Sequence, residues 1–398
     1  MRRCVVAVPV RDEAERLPKC LNALAAQRDQ DGRPLVFGRF GVAIFANNCD
    51  DRSAELVRSL GRGLPFPVRV AEASLLPDFA HAGGARREAM NQADDWLSER
   101  TESDGVILTT DADSQVPSDW IANNLAAIDA GADAVLGRVV LDEEGDLLPQ
   151  ALHHRGLLES VYEALLTELS ALLDPVDYNP WPHHATISGA TLAVTREAYR
   201  RVGGLPCVPL GEDKALVARL ARIDARIRFC PDIAVTTSGR INGRAPGGVA
   251  DTLRLRSGDP DAFCDEALES FRIALRRAKW RGRLRRLYHS DGSKPECGWI
   301  AGLGIASRDA RRVFCANTFG ELWSAVEATS PVLTRRLLKP AQLPEQISIA
   351  QRVLARIRKC ALSLDHDVDA ESVMAIAPLD SHLSLHACDE DIRSLVAG

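Results

Sequence analysis

Two short acidic segments carry the residue types from which phosphate and sugar chemistry is built. Asp111-Ala112-Asp113 follows the apolar run 106–109 and precedes a turn over 114–117. Carboxylates at i and i+2 on a sharply turning loop can present oxygens to one hard divalent cation, and a cation with open positions can bridge diphosphate oxygens. That arrangement suits a sugar-diphosphate donor; two acids after a strand equally well cap a helix or face solvent. The second segment, Gly211-Glu212-Asp213, opens the helical stretch 214–223. Its acids gain about 0.3–1 kcal/mol from the helix dipole by capping alone. A chemical role needs one of them within hydrogen-bond reach of an attacking hydroxyl, as a general base. Neither spacing decides the matter by itself.

The elements that must hold these acids alternate. Strand-like apolar runs fall at 5–8, 40–46, 68–71, 106–109 and 134–140, and helical periodicity follows at 17–24, 53–60 with Ser53 as cap, 82–98, 121–130 and 148–173. Such alternation predicts an α/β fold, a mostly parallel sheet with helices on both faces. Ligands of these sheets lie beyond the carboxyl ends of the strands, which here are the polar loops 9–13, 47–51 and 110–114. From about residue 251 the strand signals stop and amphipathic helices take over, so the chain divides into a sheet domain, 1–255, and a helical domain, 256–398.

Composition bounds the function. The 398 residues are 46% hydrophobic and 26% charged, with a net charge of −6, which argues against a chain devoted to nucleic acid. The surplus acid is in the front: residues 251–398 hold 22 basic and 20 acidic side chains. No apolar stretch approaches the roughly 18–20 residues of a membrane span. The ten cysteines show no CxxC spacing and sit mostly in apolar runs, the usage of a reducing compartment, so a cytoplasmic location is expected.

Read in order, the segments resemble the family 2 glycosyltransferases of the GT-A fold. Residues 5–13 (VVAVPVRDE), with Leu21 and Gln27 downstream, look like that family's opening strand, turn acid and helix; Asp111-Ala112-Asp113 looks like its DxD motif. Ser188-Gly189-Ala190, Arg196-Glu197-Ala198-Tyr199, Gly203-Gly204 and Gly211-Glu212-Asp213-Lys214 with Arg219 look like its acceptor half. The resemblance covers roughly residues 4–250. It implies a sugar moved from a nucleoside-diphosphate sugar to a hydroxyl acceptor, with inversion, and with Mg²⁺ or Mn²⁺ as cofactor. It implies that Pro9, Val10 and Glu13 border the nucleotide, that Asp111 lies toward ribose and metal, that Asp113 ligates the metal, and that Asp213 is the base. Arg86 matches a basic position that either contacts phosphate or stands in solvent.

Three departures qualify this. Where many relatives have an aspartate after the second strand, the chain has Asn47 and Asn48, whose amides can donate as well as accept, so the base of the nucleotide is open. Many relatives carry a histidine beyond the catalytic acid, whereas the first histidine after Asp213 is His289. In the corresponding place stand Arg240 and Arg244, and guanidinium groups can supply positive charge to a diphosphate bidentately. Third, the opening turn reads Asp12-Glu13, which leaves Glu13 in its role and makes Asp12 an exposed acid. On the acceptor side stand Glu212 and Gly189; His183 and His184 either line the expected crevice there or are loop residues contacting water, and Trp181 either stacks on an acceptor or plugs its loop.

Residues 272–286 hold eight basic and no acidic side chains. They read either as a surface helix drawn to anionic lipid or an anionic acceptor, which would allow peripheral membrane contact, or, by preference, as a solvated helix paired with Asp265, Glu266 and Glu269. Two other functions compete. A nucleotidyltransferase would place a glycine-rich loop after the first strand, and Pro9-Val10-Arg11-Asp12-Glu13 has no glycine. A catalytically silent nucleotide-sugar-binding module would need no base at Asp213. Sugar, acceptor and oligomeric state are not legible.

Overall fold

Strand β1 (Arg3–Val10) has almost no exposed residue, and its alternation feeds two cores at once. Cys4, Val6, Val8 and Val10 point to one face of the sheet, where they meet helix α1 (Leu17–Ala25), α2 (Ser53–Leu60) and α4 (Trp120–Asp129). Val5 and Ala7 point to the other, against α3 (Ala82–Ser98) and α7 (Glu212–Arg222). A strand covered on both faces reads as a continuous apolar run, which is why the segment looked strand-like without polar alternation. A computed structural model describes residues 3–99, 105–142, 150–240, 248–290 and 298–364.

The eight strands form one sheet in the order β3-β2-β1-β4-β7-β6-β8-β5, comprising β2 (Phe40–Asn47), β3 (Val68–Ala73), β4 (Gly105–Thr109), β5 (Ser114–Gln115), β6 (Ala134–Asp142), β7 (Leu192–Thr195) and β8 (Ile227–Ser238). This is the expected GT-A α/β fold, a mixed sheet between helices followed by C-terminal helices. β1 pairs in parallel with both β2 and β4, so the chain reverses its direction of winding at β1 and a crevice opens beyond their carboxyl ends. β7 runs antiparallel between β4 and β6, and β5 antiparallel to β8. That last pairing matters for the site: β5 begins one residue after Asp113, and its ladder Ser114↔Thr237 fastens the acidic loop to the end of β8.

The helical part departs from chain order. Helix α5 (Gln150–Leu173) lies within the first 255 residues, yet Tyr162, Leu169 and Leu173 pack with Leu268, Phe271 and Leu275 and with Leu343, Ala350 and Leu354. Here α6 is Arg196–Arg201, α8 Val249–Gly258, α9 Phe271–Ser290, α10 Gly298–Gly302, α11 Ser307–Phe314, α12 Phe319–Thr329 and α13 Leu343–Leu364. The basic stretch is most of α9, and much of it is interior. Ala274, Leu275, Ala278 and Leu284 are buried. Arg277 pairs with Glu269 and Glu327, and Arg281 and Arg285 with Asp174. Asp265 and Glu266, expected as partners, pair with Lys214 instead. Arg272, Arg283 and Arg286 stay exposed.

The two parts meet where α7 ends: Asp224 accepts the N–H groups of Phe319 (2.9 Å) and Gly320 (2.7 Å), capping α12. Among the described residues no helix is long and apolar enough to cross a membrane.

Candidate active site

The crevice begins with a stitched turn. Asp12 has φ 52 and its Oδ1 accepts the N–H groups of Asp50 (2.7 Å) and Asp51 (3.2 Å), so the exit of β1 is tied to the exit of β2. The expectation of an exposed acid is corrected: Asp12 is half-buried and structural. Asp51 in turn accepts the N–H of Ser53 (2.9 Å) and of Ala14 (2.9 Å). Ser53 does not cap α2 with its side chain; its hydroxyl accepts the Glu13 N–H at 2.9 Å. Donor atoms of Asp12, Cys49 and Asp51 lie within 4.8 Å of one another, but both carboxylates already serve backbone N–H groups.

At the end of β2 both asparagines are placed by burial and backbone. Asn47 is 1% exposed, and its Oδ1 is buried with no hydrogen-bond partner. Asn48, at φ 48, spends both side-chain groups on Leu75: Oδ1 accepts its N–H at 2.9 Å and Nδ2 donates to its carbonyl at 3.2 Å.

The acids of β4 and α7 meet over one guanidinium. Arg86, on the apolar face of α3, is 6% exposed. Its Nε donates to Glu212 Oε1 (2.9 Å), Nη1 to Thr109 Oγ1 (3.0 Å) and the Gly189 carbonyl (2.9 Å), and Nη2 to Asp111 Oδ1 (2.7 Å). Burial opposes its charge, but Asp111 and Glu212 outweigh that and raise its pKa further. The Gly189 N–H donates to Asp213 Oδ2 at 3.0 Å, and Asp213 Oδ1 accepts the Lys214 N–H at 2.7 Å. Burial, and then the charge of Glu212, raise the Asp213 carboxyl above its ordinary value, against the opposing pull of the Lys214 N–H, Arg86 and the Gly189 N–H. A carboxylate made more basic but still hydrogen-bonded is suited to take a proton from a hydroxyl.

Asp113 is fixed from the β8 side. Thr237 donates to its Oδ1 at 3.4 Å and takes a hydrogen bond from Ser114 Oγ at 2.9 Å. Arg240 reaches Asp113 Oδ2 (3.2 Å) and grips Glu13 with both terminal nitrogens, one of them at 3.0 Å from Oε2. Burial first, then the charges of Asp111 and Glu13, push Asp113 up to about 6, with Arg240 offsetting part of this. Two neighbouring carboxylates offering only oxygen, with Asp113 costly to keep ionised, fit a hard divalent cation, whose charge would relieve that cost. Arg244 lies outside the described residues. His289 is far along α9, against the rings of Tyr288 and Phe319.

The histidine pair sits beside the irregularity where β6 and β8 shift register. His184 Nδ1 accepts the Thr186 N–H (3.1 Å), which leaves Nε2 to donate to the Cys230 carbonyl (3.3 Å). Burial pushes its pKa down to about 4, so it is a neutral backbone tether. His183 lies between Trp181 and Phe229, at 5.7 and 6.2 Å between ring centroids, and Trp181 is 44% exposed.

Residues 5–199 match the sequence family described as Glycosyl transferase family 2. This stretch is a family 2 glycosyltransferase domain. It contains β1, the DxD loop and Gly189, while the base candidate Asp213 lies just beyond it. No curated protein sequence matches the chain. Among solved structures, S. aureus TarS 1-349 in complex with UDP-GlcNAc is similar at 18% identity and a TM-score of 0.43, covering 82% of this chain and 91% of that one. Mannosyltransferase PcManGT from Pyrobaculum calidifontis, in complex with GDP-Man and Mn2+, is similar at 17% identity and a TM-score of 0.42, with 82% and 85% covered.

Of the glycosyltransferase's expected site residues, Asp111, Glu212, Asp213, Gly189 and Arg86 converge, as do Glu13, Asp113 and Arg240. Sequence reading missed the Arg86 hub and the Glu13–Arg240 pair. A signal for the first existed: Arg86 falls on the same helical stripe as Ala89, Met90, Ala93 and Leu97, all buried, where an arginine needs acids around it.

Proposed function

We propose that this glycosyltransferase moves a sugar from a nucleoside-diphosphate sugar to a hydroxyl acceptor, with inversion, using Mg²⁺ or Mn²⁺. The observation that carries the reading is the shared anchorage of Asp213 and Asp111. The Gly189 carbonyl and the Asp111 carboxylate both accept from Arg86, and the Gly189 N–H donates to Asp213. Base and DxD are thus built on one buried group.

Asp213 takes the proton of the acceptor hydroxyl as its oxygen attacks the anomeric carbon. The bond from that carbon to the diphosphate breaks on the opposite face, and its electron pair stays on the departing oxygen. Asp111 and Asp113 would hold the cation, which neutralises diphosphate charge when bound. Arg240 is poised to exchange Glu13 and Asp113 for diphosphate oxygens. Pro9, Val10, Glu13 and Asn47 border the nucleotide, the buried Asn47 carbonyl being an unsatisfied acceptor for a base N–H. Trp181, His183 and Glu212 lie on the acceptor side. Seven described cysteines are free thiols, in keeping with a cytoplasmic enzyme.

The test is a thermal-shift panel of UDP, GDP, CMP and dTDP with and without Mn²⁺, followed by turnover of the responding donor by Asp213→Asn. Binding within a few-fold and loss of transfer are expected. Transfer at the normal rate removes Asp213 as base, and a nucleotide response with no transfer by the parent protein favours a binding module.

A further inference from the structure

We propose that Arg86 is a positioning residue for the transfer step: from its buried place it aims the Asp213 carboxylate through the backbone of Gly189 and fixes Asp111 at the same time. The inference rests on Asp213 being the base. Arg86 does not have the geometry of a phosphate ligand. It is 6% exposed, and four of its five N–H groups go to protein acceptors, Glu212, Thr109, Gly189 and Asp111. These four acceptors lie on the end of β4, the loop after it, the turn before β7 and the first turn of α7. A planar guanidinium with a rigid fork of donors fixes directions that a flexible ammonium does not.

The link to the base is a single residue. The Gly189 carbonyl accepts from Arg86 Nη1 and its N–H donates to Asp213 Oδ2, so the two peptide units that meet at the Gly189 Cα carry one bond each, and the backbone of this residue ties the guanidinium to the carboxylate. Gly189 has no freedom to be another residue: a Cβ there would overlap the guanidinium of Arg86. Each Asp213 oxygen accepts one backbone N–H and keeps a second lone pair for the acceptor proton. The charged groups around it are Glu212 and Arg86. Misplacing a catalytic group by about 1 Å costs on the order of 100-fold in rate.

Three variants separate positioning from support of the fold. Arg86→Lys keeps the charge and loses the fork, Gly189→Ala displaces the guanidinium, and the double variant Arg86→Met with Glu212→Gln replaces the buried pair by neutral groups in case the first does not fold. Each is measured in the full chain for kcat and KM with the donor found in the nucleotide panel. The Gly189 amide resonance is followed against pH in the metal-free protein, because its N–H reports the ionisation of the Asp213 carboxylate that it binds.

The expected result is a folded Arg86→Lys protein whose kcat falls by about 100-fold while donor KM changes by less than about tenfold, and whose Gly189 amide loses or moves its pH step. Gly189→Ala is expected to lose kcat in the same way. A kcat within about threefold of the parent, with the Gly189 step unchanged, overturns the proposal. If Asp213→Asn turns over normally, the base reading fails instead; that outcome does not depend on any Arg86 variant.

Discussion

Replacing Asp113 by Asn should make the metal-free protein more stable and less able to bind a diphosphate. The carboxyl is 16% exposed, flanked by Asp111 and Glu13, and opposed by Arg240. Its pKa rises from 3.8 to about 6. At about 1.36 kcal/mol per unit, ionised Asp113 therefore costs the folded state up to about 3 kcal/mol relative to the unfolded chain. The sign follows from the direction: the folded value lies above the unfolded one, so the penalty is absent below about pH 4, grows between the two values, and is complete above about pH 6. Asn keeps a carbonyl for Thr237 and Arg240 but never ionises. At pH 8 the variant should melt higher by as much as roughly 4 °C, and near pH 4 the two proteins should coincide. Melting curves across that range, with and without Mn²⁺ and the responding nucleotide, make the measurement. The parent should gain stability from the metal–nucleotide pair and the variant should not. A variant less stable at pH 8, or equally shifted at pH 4 and pH 8, would refute the claim that this carboxylate is held ionised at a cost. An undiminished Mn²⁺ response would remove Asp113 from the metal site.

His184 should behave in the opposite sense. Its folded pKa of about 4 lies below the ordinary 6.5, so the stability of the neutral tether is complete above about pH 6.5 and is lost as pH falls toward 4. His184→Gln should flatten that acid limb of the melting profile, and an unchanged limb would assign it to other groups. Gly320→Ala should cost about 1–3 kcal/mol in chemical denaturation, because a Cβ there would overlap the Ala221 carbonyl at the junction of α7 and α12; a neutral result would mean the junction yields.

The sheet was legible because buried parallel strands declare themselves as apolar runs and the helices between them keep their period. The acids were legible too, since they lie on loops at carboxyl ends of strands. What escaped was everything that depends on which distant side chains are buried together. Glu13 and Arg240 are 227 residues apart, and no local pattern joins them. Arg86 read as a phosphate or solvent residue because spacing does not reveal that Glu212 is buried against it. Ser53 looked like a cap, but Asp51 is better placed to bind the Ser53 N–H, which frees the Ser53 hydroxyl for Glu13. The basic stretch looked like a surface feature because the acids that absorb it, Asp174 and Glu327, come from far away in the chain.

Helix α5 has a bearing on how this protein can be divided. The chain order invites a cut near residue 255, yet such a fragment would carry Tyr162, Leu169 and Leu173 as a bare apolar stripe and Asp174 as a buried acid stripped of Arg281 and Arg285. The remaining piece would lose the same contacts from the other side. Catalytic and helical parts are therefore interlocked, and neither is a module that recombination could pass on by itself.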